Sequence, residues 1–213
     1  MGGRHILVDQ FVPRNAHTPA SYAYLSAFPR LESVIFPGNL ARTLYKNHTA
    51  SFAFADLAPL LAALRPAPLR TLILDVIRDT TYAKGFTAYV PASAPPVAGL
   101  QGLEKLRLGW RVHDAKGAPP GNAYARLAAL VRPSLTTLVH LELDIDQDRR
   151  RPAPFDLTQL RDAAPTLRTL RYQTQYDDTN VLDTITTLFP LLERLCLKWD
   201  AYWKRARIGR AHI

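Results

Sequence analysis

Glu142, Asp144, Asp146 and Asp148 alternate along the chain. On a β-strand that spacing sets the carboxylates on one side, about 6.6 Å between successive groups. A pair at such a distance suits an inverting glycosidase, in which one carboxyl protonates the leaving oxygen while the other activates water. The same run opens like a calcium loop, whose short acidic side chains at alternate positions surround the ion. Both chemistries need more than the sequence offers. Arg149 stands where a calcium loop turns on glycine, Phe155 where it closes on glutamate, and Arg149, Arg150 and Arg151 repel a cation. The run therefore reads as a solvated strand end entering a basic loop, with an acidic contact patch as its second use. Cys196 is a lone thiol, a type that is usually inert, so no nucleophile is expected there. The histidines His5, His17, His48, His113, His140 and His212 show no ligand spacing with cysteine or with each other. No glycine-rich phosphate cradle of the G-x-G-x-x-G or G-x-x-x-x-G-K kind occurs. No catalytic residue, metal or cofactor is expected.

Charge raises a different possibility. The 213 residues carry 27 Lys and Arg against 18 Asp and Glu, a net charge of +9. The surplus gathers in Arg149 to Arg151 and in the tail Lys204, Arg205, Arg207 and Arg210. Clustered cations bind phosphates by releasing counterions, and Tyr202 and Trp203 beside the tail have rings on which unpaired bases stack. Nucleic-acid binding through Arg149, Arg150, Arg151, Lys204, Arg205 and Arg207 is therefore the alternative function. A flexible, solubilising end is the plainer use of such a tail.

With 47% hydrophobic and 21% charged residues, the chain has the material for a buried core and is unlike a disordered polymer. Its longest apolar run, Leu57 to Leu64, falls far short of the roughly 18 residues of a membrane span, so no membrane partner is expected. A single cysteine makes no internal disulfide, which fits an intracellular location, cytoplasmic or nuclear.

The elements that would position these side chains come from a repeat. Leu-x-x-Leu-x-Leu occurs at Leu69/Leu72/Leu74, Leu103/Leu106/Leu108, Leu138/Leu141/Leu143 and Leu192/Leu195/Leu197. Leu167/Leu170/Tyr172 and Leu31/Val34/Phe36 are near-matches. Four strict matches exceed the roughly one that leucine content alone predicts. Pro29, Pro68, Pro165 and Pro190 each precede a motif and stop the helix before it. Helices are expected over Asp56 to Leu64, Asn122 to Val131, Phe155 to Ala163 and Thr179 to Leu188, with Asp156 and Gln159 forming a capping box. Strands follow the prolines, with Leu72, Leu74 and Val76, Leu106, Leu108 and Trp110, Leu141, Leu143 and Ile145, and Leu195, Leu197 and Trp199 facing inward. Tyr82 to Pro96 reads as a loop insertion.

These motifs resemble a leucine-rich repeat protein. The fold class implied is α/β, an irregular leucine-rich repeat solenoid of about six strand-helix units with a parallel concave sheet. It would span residues 28–200, between an amino-terminal flank 1–27 and a basic tail 201–213. Where such repeats carry a bonding asparagine or cysteine, this chain has Ile77, Arg111, Asp146, Gln175 and Asp200. Irregular spacing and Pro-Leu-x-x-Leu openings look most like the repeat region of fungal F-box/leucine-rich-repeat proteins. In that family the repeats present target proteins to a ubiquitin ligase through a separate F-box. His5 to Ala27 is too short for that three-helix element, so an adaptor contact is implied only as part of a longer chain.

Stacking the units in register predicts three rows on the concave face. They read Ser33, Thr71, Lys105, His140, Thr169, Arg194; then Ile35, Ile73, Arg107, Glu142, Arg171, Cys196; then Pro37, Asp75, Gly109, Asp144, Gln173, Lys198. Glu142 would lie between Arg107 and Arg171. The expected function is non-enzymatic protein binding through Lys105, Arg107, His140, Glu142, Asp144, Arg171, Arg194 and Lys198, with Trp199 and Trp203 capping the last strand.

Overall fold

The computed structural model describes residues 4–7, 25–36, 52–78, 80–83, 86–89, 97–112, 121–147, 155–174 and 180–199. The chain is of the α/β class, built on one parallel sheet. Its strands run β1 (His5–Leu7), β2 (Ser33–Phe36), β4 (Thr71–Arg78), β7 (Lys105–Val112), β8 (His140–Gln147), β9 (Thr169–Thr174) and β10 (Arg194–Trp199), side by side in chain order. A short strand β3 (Phe52–Ala53) pairs off this path with the far end of β4. All six strands predicted from the leucine motifs are present and parallel. β1 is an addition: it lies inside the expected amino-terminal flank, carries no leucine motif, and pairs with β2.

The strands alternate as a half-buried sheet must. Val34, Leu72, Leu74, Leu106, Leu108, Leu141, Leu143, Ile145, Leu170 and Tyr172 are buried. Helices α1 (Phe54–Leu64), α2 (Gly121–Val131) and α3 (Val181–Leu188) add their own buried residues to the same core cluster, so they cover one face of the sheet. In α1 the buried Leu57, Leu60, Leu61 and Leu64 recur at helical spacing. Each contributes about 1.5–3 kcal/mol, which offsets the backbone bond that Pro59 cannot donate inside the helix. α2 ends in a 3-10 turn, Arg132–Ser134, and its Tyr124 meets Phe155 edge to face at 5.8 Å.

The element expected as a helix over Phe155 to Ala163 is instead a 3-10 helix, Leu157–Ala163. Its buried residues Leu157, Leu160 and Ala163 recur every third position, the period at which 3-10 side chains eclipse. Asp156 caps it by accepting from the Thr158 amide at 2.9 Å and the Thr158 hydroxyl at 2.7 Å. The expected return bond from Gln159 is absent among the described residues, because the cap closes one residue earlier than a capping box. The insertion after β4 is not simply a loop: β5 (Thr80–Ala83) and β6 (Phe86–Tyr89) form an antiparallel hairpin. Among the described residues no helix is long and apolar enough to cross a membrane.

One irregularity shapes the sheet. β4 and β7 pair evenly up to Leu74 and Leu108, then resume at Ile77 and Trp110, so β4 carries one extra residue over Asp75–Val76. The register therefore levels Ile77 with Trp110, in place of the expected Val76. The bulged backbone presses on Gly109, where an added Cβ would stand 1.8 Å from the Asp75 carbonyl oxygen. Only glycine fits there. Gly109→Ala is expected to cost about 1–3 kcal/mol through forced backbone displacement, read as a lower urea midpoint. An unchanged midpoint would contradict the close approach of β4 to β7.

Candidate functional site

The open face is the side of the sheet opposite the helices. Its first row is His5, Ser33, Thr71, Lys105, His140, Thr169 and Arg194, each level with the next. The second runs Leu7, Ile35, Ile73, Arg107, Glu142, Arg171 and Cys196. The third places Gly109, Asp144, Gln173 and Lys198 in line. These rows match the expected ones across the described strands. Pro37 lies outside the described residues, and the bulge takes Asp75 out of simple register.

The middle row forms a connected set of charges. Arg107 Nε lies 2.8 Å from Asp75 Oδ1 and 3.6 Å from Glu142 Oε2. Arg171 reaches the same Glu142 oxygen at 3.7 Å. Glu142 is therefore bracketed by two guanidinium groups from neighbouring strands, as the register predicts. Asp75, at the bulge and with its carbonyl against Gly109, joins the set through Arg107. Its side chain is 13% exposed against 34% for Arg107, so the cluster is best shielded at the bulge.

The remaining predicted residues stand differently. Lys105 and Asp144 are half-buried, whereas His140, Arg194, Cys196 and Lys198 are exposed. Lys105, Arg194 and Lys198 make no ion pair among the described residues. From β7 to β10 the open face thus carries Lys105, Arg107, Arg171, Arg194 and Lys198 against Glu142 and Asp144, with Asp75 reaching in from β4. Arg149, Arg150, Arg151, Asp148, Lys204, Arg205, Arg207, Arg210, Tyr202 and Trp203 lie outside the described residues. No group of three His, Cys, Asp or Glu side chains suited to a metal occurs among the described residues.

A further row escaped the sequence reading. Just before the strands stand Arg4, Glu32, Arg70, Glu104, Val139, Arg168 and Glu193, alternating in sign except at Val139. The carbonyl of Arg4 accepts the amides of Glu32 and Ser33, that of Glu32 those of Arg70 and Thr71, and that of Arg70 those of Glu104 and Lys105. The same double acceptance continues through Glu104, Val139 and Arg168 to Arg194. Side chains pair along this row: Arg4–Glu32 at 3.2 Å, Arg70–Glu104 at 3.0 Å and Arg168–Glu193 at 3.7 Å. Such exposed pairs contribute only about 0–1 kcal/mol each. The signal was available for all but Arg4, since the others follow the first leucine of each motif.

Serine and threonine tie the middle units together. Ser134, fully buried, donates to the Leu100 carbonyl and accepts from the Leu103 amide at 3.3 Å. Thr137 donates to the Leu103 carbonyl at 2.8 Å, and Thr166 to the Leu135 carbonyl at 3.4 Å. These bonds sit at the entry to the strands, away from Ile77, Arg111 and Asp146 at the motif's asparagine or cysteine position.

Burial ranks these interactions. Ser134→Ala is expected to cost about 1–3 kcal/mol, because two buried backbone groups lose their partner. Glu142→Gln should cost under about 1 kcal/mol despite touching two ion pairs, because its surroundings are solvated. Parallel urea titrations check the ranking, and a larger loss at Glu142 would reverse it. Comparison with protein-family models found no match, and comparisons with curated proteins and with solved structures found none either.

Proposed function

We propose that the chain is a non-enzymatic protein-interaction module that receives a protein partner on the concave face of an irregular leucine-rich repeat solenoid. The observation that carries this reading is the set Arg107, Glu142, Arg171 and Asp75, linked on the open face and flanked by Lys105, Arg194 and Lys198 without ion-pair partners among the described residues. Sheet order equal to chain order, with one core shared by strands and helices, supports a stacked array in which no unit buries its own face. A face of fixed, mixed charge steers and selects a protein more than it tightens the complex. The motif resemblance adds substrate recognition of the F-box type as the finer form of this function, with a ubiquitin-ligase adaptor reached through a longer chain.

Affinity capture of the full-length protein from its own cells tests this, comparing the natural chain with Arg171→Glu on the open face and Arg161→Glu on the helical side. Arg171→Glu is expected to lose the partner by about tenfold or more while its melting temperature stays close to the parent's. Arg161→Glu should keep the partner. Equal capture by all three places binding elsewhere, and a ligase adaptor in the catch marks the F-box form.

A further inference from the structure

β10 ends the sheet, and it is built differently from every unit before it. Leu170 and Tyr172, on the core side of β9, are 0% and 1% exposed, whereas the corresponding Leu195 of β10 is 38% exposed. Leu191, just before the strand, is 49% exposed, and Leu197 is only partly buried. Among the described residues no strand pairs with the outer edge of β10, which leaves its strand N–H and C=O groups open to a further strand. On its open-face side the same strand carries Arg194 and Lys198, about 13 Å apart, with Arg171 on the neighbouring strand level with Cys196 between them.

We infer that β10 takes up an extended segment of another protein as the next strand, with acidic residues alternating with apolar ones. Its backbone would continue the ladder, its apolar side chains would cover Leu195 and Leu197, and its carboxylates would meet Arg194, Arg171 and Lys198. This deepens the protein-binding reading, on which it rests, by naming the mode and the partner's chemistry.

Charge decides among the occupants. A second copy pairing antiparallel about Cys196 sets Arg194 against Lys198 of the other molecule, like against like. A second copy adding its β1 brings His5 beside Arg194 and Leu7 beside Cys196, so Arg194 meets no carboxylate. Residues 201–213 hold Lys204, Arg205, Arg207 and Arg210 and no acidic residue, so this segment brings the cations no partner. An acidic strand from elsewhere supplies what all three lack.

The probe is a short fluorescein-labelled peptide of alternating Glu and Val, titrated into the full chain by fluorescence anisotropy. Two further versions carry N-methyl groups, one on the Glu nitrogens and one on the Val nitrogens, since alternate amides of a strand point to opposite edges. Binding is expected for the parent peptide and for one methylated version. The other, whose methyls face β10, should bind at least about tenfold more weakly, as should the parent peptide to the Arg194→Glu/Lys198→Glu chain. Circular dichroism confirms that this variant, altered only at exposed side chains, still folds. Binding of both methylated versions alike overturns strand addition. No binding, or equal binding of a Lys-Val peptide, overturns the acidic class. Binding that appears only after deletion of residues 201–213, or a self-associated species dispersed by Leu195→Glu, overturns the choice of occupant. Loss of the cellular partner on Arg171→Glu, with no peptide binding, leaves concave-face recognition standing and removes only this extension of it.

Discussion

Parallel register is the constraint from which the rest of the structure follows. Each carbonyl of the row before the strands, from Arg4 to Arg168, accepts two successive amides from the next unit, so every strand enters the sheet at one fixed height. A slip of one residue would turn Leu106 and Leu108 outward and Arg107 into the core, burying a charge without a partner. The apolar core and the charged face are two readings of the same register. Neither exists for an isolated unit, since the leucines of one strand are covered by helices and strands from its neighbours.

Much of this was legible in the sequence because strand periodicity is two and the motif supplies its own phase. Leu72 and Leu74, Leu106 and Leu108, and Leu141 and Leu143 mark the buried side, which leaves Arg107 and Glu142 on the other and level with each other. What stayed hidden has physical causes. β1 is three residues long with no leucine motif, and only pairing with β2 makes it a strand. The bulge at Asp75–Val76 has no local marker except Gly109, which lies a full unit away in sequence. The 3-10 helix at Leu157–Ala163 shows its three-residue period only once burial is known. Residues singled out in the arginine loop and the tail lie outside the described residues.

The bulge lies beside the charged face. Asp75, at its start, has its backbone against Gly109 and its carboxylate 2.8 Å from Arg107, while Glu142 is shared at 3.6 and 3.7 Å between Arg107 and Arg171. Arg107 is thus paired with both neighbouring strands. The absence of a side chain at Gly109 is what permits the close approach of β4.

The serine and threonine bonds are concentrated where β7, β8 and β9 enter the sheet. Ser134 and Thr137 bind the β8 unit to the one before it, and Thr166 binds the β9 unit to β8's. The last strand, with Leu195 half uncovered, lacks comparable fastening among the described residues. Fastening is therefore uneven along the described sheet, and a unit with fewer such bonds opens at lower free energy than one held by these hydroxyl clasps. A protease acting on the native ensemble would cut around β10 before it reached the better fastened β7 to β9.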